Sequence, residues 1–265
     1  TVPAFGRDEP CVLVQGGDAA VPVYLLANGR YFNTDQVYGR PDDLYRYHFF
    51  NLAVARLPEL WGWVPDIIHC NDWHTSLLPF GLRNLAWNRP EYRRTASVLT
   101  IHNLAYRGPD DLTDTLAQGI YYADVVSTVS PTYAREITSP AQGMGLDPLL
   151  RLRGDRLWGI ANGVDQQVFN PATDPALPTA YDAASVEGRG ANKAALQAQL
   201  GLRADPTAPL AGMVSRVDYQ KGTDLLAGVI ERCVTELGMQ FALLGAGNAD
   251  LTALLRDAAA RFPGA

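Results

Sequence analysis

Two basic residues lie in a short loop between a predicted strand and a predicted helix. Arg216 and Lys221 follow the apolar run 209–215, and Gly222-Thr-Asp opens a segment whose apolar spacing predicts a helix over 222–236. Two cations beside a helix N-terminus form a receptor for an anion such as a diphosphate, because free N–H groups and the helix dipole favour negative charge. The alternative is a pair of solvated loop charges, and this stretch alone does not separate the two.

Four other predicted strands are also followed by residues that could do chemistry. In open α/β sheets, ligands bind beyond the carboxyl ends of the strands, so we expect these residues to share one sheet edge. Carboxylates and amides bind sugar hydroxyls, and an indole offers a flat apolar face to a sugar ring, so the set is typical of a sugar site. The candidates are Asp72 and Trp73 after strand 65–69, His102 and Asn103 after 96–101, Asn162 after 157–161, and Gly245 after 239–245.

Each candidate also has a structural alternative. Asp72 could cap the helix that follows it, and Trp73 could simply pack in the core. His102 could be satisfied by hydrogen bonds to the backbone. Asn162 could belong to a plain turn with Gly163, and Gly245 stands in a glycine motif that lacks the third glycine of the dinucleotide fingerprint.

A metal site and a cysteine nucleophile are both disfavoured by the sequence. His69, Asp72 and His74 are close along the chain, but His69 ends a strand and would point away from the other two. Cys70 has no matching His–Asp arrangement, so we expect a buried, small apolar residue. We therefore predict no metal site and no cofactor.

Composition and charge narrow the class of protein. The 265 residues are 47% hydrophobic and 19% charged, which is typical of a globular protein with one large or two modest domains. The net charge is −6 without a basic block, so we expect no nucleic-acid partner. The three cysteines are odd in number and widely spaced, and no apolar run reaches membrane-spanning length. These features predict a cytoplasmic protein without a membrane partner.

The rest of the chain predicts alternating strands and helices. This alternation indicates parallel sheets covered on both faces, interrupted by a connection rich in Pro, Thr and Asp within 163–190. Before the alternation begins, the aromatic and turn-rich residues 31–39 predict a surface loop. The predicted strands are 11–15, 21–26, 65–69, 96–101, 124–129, 157–161, 209–215 and 239–245, and the predicted helices are 42–55, 75–85, 112–122, 131–137, 190–200, 222–236 and 249–261.

Eight short segments occur in an order that is found in a known family. They are 31–39 (YFNTDQVYG), 65–74 (PDIIHCNDWH), 100–108 (TIHNLAYRG), 123–137 (ADVVSTVSPTYAREI), 143–147 (GMGLD), 159–165 (GIANGVD), 170–174 (NPATD) and 215–222 (SRVDYQKG). In this order, over about residues 11–250, the chain resembles the bacterial glycogen synthase and plant starch synthase family of retaining glycosyltransferases.

The resemblance implies a GT-B-like α/β fold of two Rossmann-like lobes with parallel sheets. Residues 1–162 would form the N-terminal, acceptor-side lobe, and 163–265 a linker and the first part of the nucleotide-sugar-binding lobe. The implied reaction transfers glucose from ADP-glucose to the non-reducing end of an α-1,4-glucan, with retention of configuration and without a metal. ADP-glucose and the glucan are therefore the expected partners.

Site residues follow from the same resemblance, position by position. Arg216 and Lys221 match the pair that holds the donor diphosphate, where two cations stabilise the charge of the leaving group. His102 matches the active-site histidine near the transferred sugar. We therefore expect His102, Arg216 and Lys221 to be catalytic. The expected substrate-binding residues are Tyr38, Asp72, Trp73, Asn103, Asn162 and Gly245.

The sequence also departs from the family. The N-terminal Lys-Thr-Gly-Gly motif and the C-terminal motif with paired glutamates are absent, and the chain is shorter than the family between Gly108 and Ala117. Met144 replaces a cysteine that is usual in its segment. We expect both lobes to be incomplete. We also expect this chain alone to be inactive, and either poorly soluble or associated, because missing strands expose apolar edges. The alternatives are a shortened, non-catalytic homologue that binds glucan or nucleotide, and a related GT-B transferase that uses a UDP- or GDP-sugar.

Overall fold

The structure of the protein is a computed structural model, described for residues 1–17, 21–37, 39–108 and 114–265. Within these residues the chain divides into two compact units, Thr1–Gly163 and Val164–Ala265. No helix in the covered ranges is both long enough and apolar enough to cross a lipid bilayer.

Unit 1 begins with two antiparallel strand pairs and two helices. The strands predicted over 11–15 and 21–26 are confirmed as a hairpin in which Val14 lies opposite Leu25. A preceding hairpin of three-residue strands and the short second helix were not predicted, because runs this short carry no periodicity. These elements are β1 (Val2–Ala4), β2 (Arg7–Glu9), β3 (Val12–Gly16), β4 (Val23–Ala27), α1 (Asp43–Ala55) and α2 (Leu57–Trp61).

The segment after β4 is not the plain surface loop that its aromatic and turn-rich composition predicted. The side chain of Tyr31 is buried and stacks on Phe49 with ring centroids 4.7 Å apart. Its carbonyl oxygen accepts a hydrogen bond of 2.7 Å from Nε of Arg46, which is itself buried in an ion pair with Asp43. The loop is therefore anchored to α1 by aromatic packing and by a buried guanidinium.

A four-stranded parallel sheet forms the rest of unit 1, with strands in chain order. The four predicted strands are present, but the first runs over 67–71 instead of 65–69, so His69 does not end it, and the last ends at residue 159 instead of 161. Ser130 caps the predicted helix through hydrogen bonds from the backbone N–H groups of Thr132 and Tyr133. The elements are β5 (Ile67–Asn71), α3 (Asp72–Thr75), α4 (Leu77–Asn88), β6 (Ala96–Ile101), α5 (Thr115–Tyr122), β7 (Val125–Thr128), α6 (Pro131–Glu136), α7 (Asp147–Arg153) and β8 (Leu157–Gly159).

The two faces of this sheet are covered unequally. When parallel strands follow one another in order, right-handed crossovers place their helices on the same face. Leu99 and Val126 are fully buried in the core on that face. On the opposite face, Ile67 and Trp158 are 62% and 50% exposed. The prediction that helices cover both faces is therefore wrong for the described part of unit 1.

Unit 2 repeats the strand–helix alternation on a smaller scale. Its two strands pair in parallel, and their bounds agree with the prediction to within one residue. The buried amides of Gln197 and Gln240 are joined by a hydrogen bond of 2.6 Å, which ties the first helix to the second strand. The elements are α8 (Arg189–Leu200), β9 (Leu210–Val214), α9 (Thr223–Leu237), β10 (Gln240–Leu244) and α10 (Ala249–Arg261).

Candidate functional site

The loops after β5 and β6 are joined by the carboxylate of Asp72. Its Oδ1 accepts hydrogen bonds from the backbone N–H groups of His102, at 2.7 Å, and of Asn103, at 3.4 Å. The helix α3 has no side-chain cap at its N-terminus, so the capping role considered for Asp72 is not the one observed. The carboxylate instead fixes the backbone of the neighbouring loop.

Asp72 adopts a backbone conformation that is rare for a residue with a side chain. Its φ is +55°, in the left-handed region, where Asp is better tolerated than most residues. Such a conformation costs roughly 1 kcal/mol or more, and it persists where the surroundings hold it in place. Here the two backbone N–H groups of the next loop provide that hold.

The imidazole of His102 is held by a second side chain, that of Asn71. Nε2 lies 3.0 Å from Oδ1 of Asn71, and the ring is otherwise exposed. The backbone of Asn71 is fixed in turn by Thr75, whose Oγ1 accepts from its N–H at 2.6 Å and donates to its carbonyl at 2.9 Å. His102 is therefore oriented by a side chain, whereas the sequence alternative had foreseen only backbone partners.

Sequence reasoning did not single out Asn71, although its neighbour Asp72 was a candidate. The signal lies in the strand register, which pairs Asn71 with Thr100. Side chains alternate along a strand, so Asn71, Thr100 and a residue two positions further, His102, share one face. This relationship is visible only once the register between β5 and β6 is known.

Trp73 and Asn103 lie in the same region, but their side chains make contacts that stabilise the fold. The indole of Trp73 is 7% exposed, belongs to the core, and meets the ring of Tyr47 edge to face at 4.9 Å. This burial favours the packing alternative for Trp73 over a sugar-stacking surface. Oδ1 of Asn103 accepts from the N–H of Ala105 at 3.0 Å, which shapes the turn that buries Leu104.

Two candidates of unit 1 remain, Asn162 and Tyr38. Asn162 follows β8 at the same carboxyl edge of the sheet and is exposed. Tyr38 lies outside the described residues.

Cys70 and the histidines around it do not form a nucleophilic or metal site. Cys70 is fully buried, and burial raises the pKa of its thiol to about 12. Nε2 of His69 lies 2.7 Å from Oγ1 of Thr100, while burial lowers the pKa of His74. Across the described residues, no three His, Cys, Asp or Glu side chains are grouped to hold a metal ion.

In unit 2, Arg216 precedes a tight turn at the start of α9, and Lys221 belongs to that turn. Lys221 ends a single 3₁₀ turn over Tyr219–Lys221 that Asp218 caps, with Oδ1 accepting from the N–H of Gln220 at 2.9 Å. Gly222 then takes φ +69° and is the N-cap of α9, whose first N–H groups have no side-chain cap. Both cations are exposed in the loop that leads from β9 to this N-terminus. An uncapped helix N-terminus that follows a loop with two cations is a feature that favours anions in general.

Gly245 follows β10 and has a structural reason to be glycine. A Cβ there would lie 2.0 Å from the carbonyl oxygen of Ser215. The two loops remain paired beyond the strands, because the N–H of Ser215 donates to Leu244 at 3.1 Å and that of Val217 to Ala246 at 3.0 Å. Gly245 therefore permits the close approach that places the loop carrying Arg216.

Comparison with known proteins decides the family. Residues 2–152 match the family model of the starch synthase catalytic domain. This chain belongs to the starch synthase catalytic domain family.

Curated relatives and a solved structure agree with this assignment. The chain is 43% identical over 272 residues to glycogen synthase 2 of Geobacter sulfurreducens, covering 92% of this chain and 56% of the relative. It is 42% identical over 269 residues to glycogen synthase of Moorella thermoacetica, covering 92% and 55%. The catalytic domain of starch synthase IV from Arabidopsis thaliana, bound to ADP and acarbose, matches with a TM-score of 0.86 and 30% identity, covering 99% of this chain and 59% of that one.

A more distant structure shows the fold alone. Trehalose-6-phosphate synthase from E. coli, bound with UDP-2-fluoro glucose, matches with a TM-score of 0.58 at 16% identity. The predicted GT-B-like α/β class is thus confirmed. The chain spans little more than half of the length of the curated relatives named above.

For this member of the starch synthase family, the structure gathers the predicted residues within each unit. Unit 1 connects Asp72, His102 and Asn103 by hydrogen bonds at the carboxyl edge of its sheet. Unit 2 places Arg216 and Gly245 at the carboxyl edge of the β9–β10 pair. In both units the candidates lie where open α/β sheets bind their ligands.

Proposed function

We propose that this protein is a glycogen or starch synthase that transfers glucose from ADP-glucose to the non-reducing end of an α-1,4-glucan, with retention. The observation that carries the proposal is the fixed His102 of unit 1, held by Asp72 and Asn71, in a chain about 40% identical to glycogen synthases. The starch synthase IV structure holds ADP and acarbose, which supports an adenine nucleotide and a saccharide as ligands here.

The roles of the two units follow from their side chains. We assign the acceptor side to unit 1, where amide, carboxylate and imidazole groups offer partners for sugar hydroxyls. We assign the nucleotide sugar to unit 2, where Arg216 and Lys221 stand beside the uncapped N-terminus of α9.

The proposed chemistry depends on charge stabilisation. Breaking the bond between glucose and the diphosphate leaves negative charge on the departing ADP. Arg216 and Lys221 are cations that would stabilise that charge without a metal ion. His102 would lie near the transferred glucose, and Asp72 would keep its backbone in place. We further propose that the enzyme acts in the cytoplasm.

The test measures incorporation of labelled glucose into glycogen by the full-length protein, with ADP-, UDP- and GDP-glucose compared at equal concentrations. We expect ADP-glucose to be the preferred donor. Preference for UDP- or GDP-glucose would replace the donor assignment. Retention of glycogen without transfer from any donor would favour the non-catalytic alternative and overturn the proposal.

A further inference from the structure

We propose that Asn71 is a positioning residue that holds the His102 imidazole with its hydrogen on Nε2, so that Nδ1 presents a lone pair to a hydroxyl of the bound sugar. The identity of the ligand as a sugar rests on the proposed function. The arrangement of Asn71 and His102 stands on the structure alone.

The first step concerns which ring nitrogen carries the hydrogen. Nε2 of His102 lies 3.0 Å from Oδ1 of Asn71. An amide oxygen can only accept a hydrogen bond, and a neutral imidazole has one N–H. The contact therefore requires the hydrogen on Nε2, and Nδ1 becomes the acceptor.

The second step concerns what Nδ1 can reach. Among the described residues, Nδ1 of His102 has no hydrogen-bond partner, and the side chain is exposed at the carboxyl edge of the sheet. A lone pair in such a place accepts a hydrogen bond from water or from a ligand hydroxyl. Sugars are rich in hydroxyl donors, so Nδ1 suits a sugar better than it suits an anion.

The third step concerns rigidity. Asn71 is extended, with φ −130° and ψ 120°, and Thr75 holds both its N–H and its carbonyl. The next residue, Asp72, holds the backbone N–H of His102 at 2.7 Å. Consecutive residues of one strand end thus fix the backbone and the ring of the same histidine. A pre-oriented acceptor of this kind loses little freedom when the sugar binds.

A double-mutant cycle in the full-length protein tests the proposal. We expect Asn71→Leu to lower kcat for glucose transfer by about tenfold, the size of one lost hydrogen bond. The same change in a His102→Ala background should have less than about a twofold effect, because Asn71 acts through the ring. Asn71→Asp keeps an acceptor oxygen and should retain most of the rate. Equal losses in both backgrounds would show a merely structural role and overturn the proposal.

Nitrogen NMR of the four histidines gives a readout that does not need activity. The signals of His102 are those that disappear in His102→Ala. We expect them to show hydrogen on Nε2 in the wild type and a population with hydrogen on Nδ1 in Asn71→Leu. The matched control is Thr100→Val, which removes the partner of His69 Nε2 and should move the His69 signals while His102 keeps its tautomer. Hydrogen on Nδ1 in the wild type would overturn the proposal. An absence of transfer by the wild type would instead count against the proposed function, and the tautomer would still decide the role of Asn71.

Discussion

Oδ1 of Asp72 lies 2.7 Å from the backbone nitrogen of His102, which joins the ends of two neighbouring strands through one carboxylate. The contact reaches across 30 positions in sequence, so it forms only when β5 and β6 are paired. The strained φ of Asp72 is part of the same arrangement. Folding of the sheet and placement of the histidine are thus one event.

Replacement of Asp72 should therefore affect glucose transfer more than stability. Asn tolerates positive φ and keeps an acceptor oxygen, so Asp72→Asn should lower kcat/KM by about threefold to tenfold. Asp72→Ala loses the acceptor oxygen and strains the backbone. We therefore expect kcat/KM to fall by about 100-fold and the free energy of unfolding to fall by roughly 1 kcal/mol.

The rates are measured with ADP-glucose and glycogen, and stability by urea unfolding. Asp66→Asn is the control, because Asp66 is exposed near the start of the same strand and its change should leave transfer intact. A wild-type rate for Asp72→Ala would contradict this account of the loop.

Lys221 and Lys193 are the two lysines of the sequence, and they differ in their surroundings. Lys221 is exposed beside α9, so Lys221→Ala should lower turnover by about 100-fold while the free energy of unfolding changes by less than about 0.5 kcal/mol. Nζ of Lys193 donates to the carbonyl of Pro206 at 2.8 Å, so Lys193→Ala should cost about 1–2 kcal/mol of stability and leave turnover unchanged. Both variants are compared by kcat and by urea unfolding. Equal turnover in the two variants would remove the diphosphate role from Lys221.

Gly245 and Gly228 form a second matched pair. An added Cβ at Gly245 would lie 2.0 Å from the backbone oxygen of Ser215, so Gly245→Ala should destabilise the protein by about 2 kcal/mol or more. Gly228 lies within α9 with nothing within 4 Å of an added Cβ, so Gly228→Ala should stabilise by about 0.5–1 kcal/mol. Thermal unfolding of both variants checks the pair. A stable Gly245→Ala that fails to bind ADP would shift the role of Gly245 from packing to ligand contact.

The longer strands and helices of both units could be predicted from the sequence because their apolar spacing extends over several turns or pleats. The helix predicted over 75–85 is interrupted where Ser76, fully buried, hydrogen-bonds the carbonyls of Trp73 at 2.8 Å and Thr115 at 2.7 Å. The helix α7 was missed because seven residues beginning Asp147-Pro leave little periodicity. Tertiary hydrogen bonds set the first of these features, and no local pattern carries them.

The candidate site could be predicted only in part from the sequence, for a related reason. Asp72 and His102 could be predicted as site residues from their residue types and their positions after predicted strands, because parallel strands bring their carboxyl ends together. The ring partner Asn71 depends on the register of β5 and β6, and the burial of Trp73 depends on the helices that cover one face of the sheet. Neither property can be read from residue types.

Asp124 gives the fold a defined sensitivity to acid. Burial raises the pKa of its carboxyl, but hydrogen bonds from the backbone N–H of Ser97, at 2.8 Å, and from its hydroxyl, at 3.0 Å, together with the charge of Arg83, lower it overall. A carboxyl whose pKa is depressed in the folded state stabilises the fold fully above its unfolded pKa of about 3.9. That contribution is lost as the pH falls through the folded pKa.

We therefore expect Asp124→Asn to be less stable than the wild type by about 1–2 kcal/mol at pH 7. The difference should shrink below about pH 4, as the wild-type carboxyl gains its proton. Ser97→Ala is the graded control, because it removes the hydroxyl and leaves the backbone N–H. The hydroxyl also accepts from the backbone N–H of Asp124 at 3.1 Å, so only part of the effect should depend on pH, and that part should be smaller than for Asp124→Asn. Urea unfolding at pH 7, 5 and 3 measures both. A difference for Asp124→Asn that stays constant from pH 7 to pH 3 would show that the charge of Asp124 does not stabilise the junction of β6 and β7.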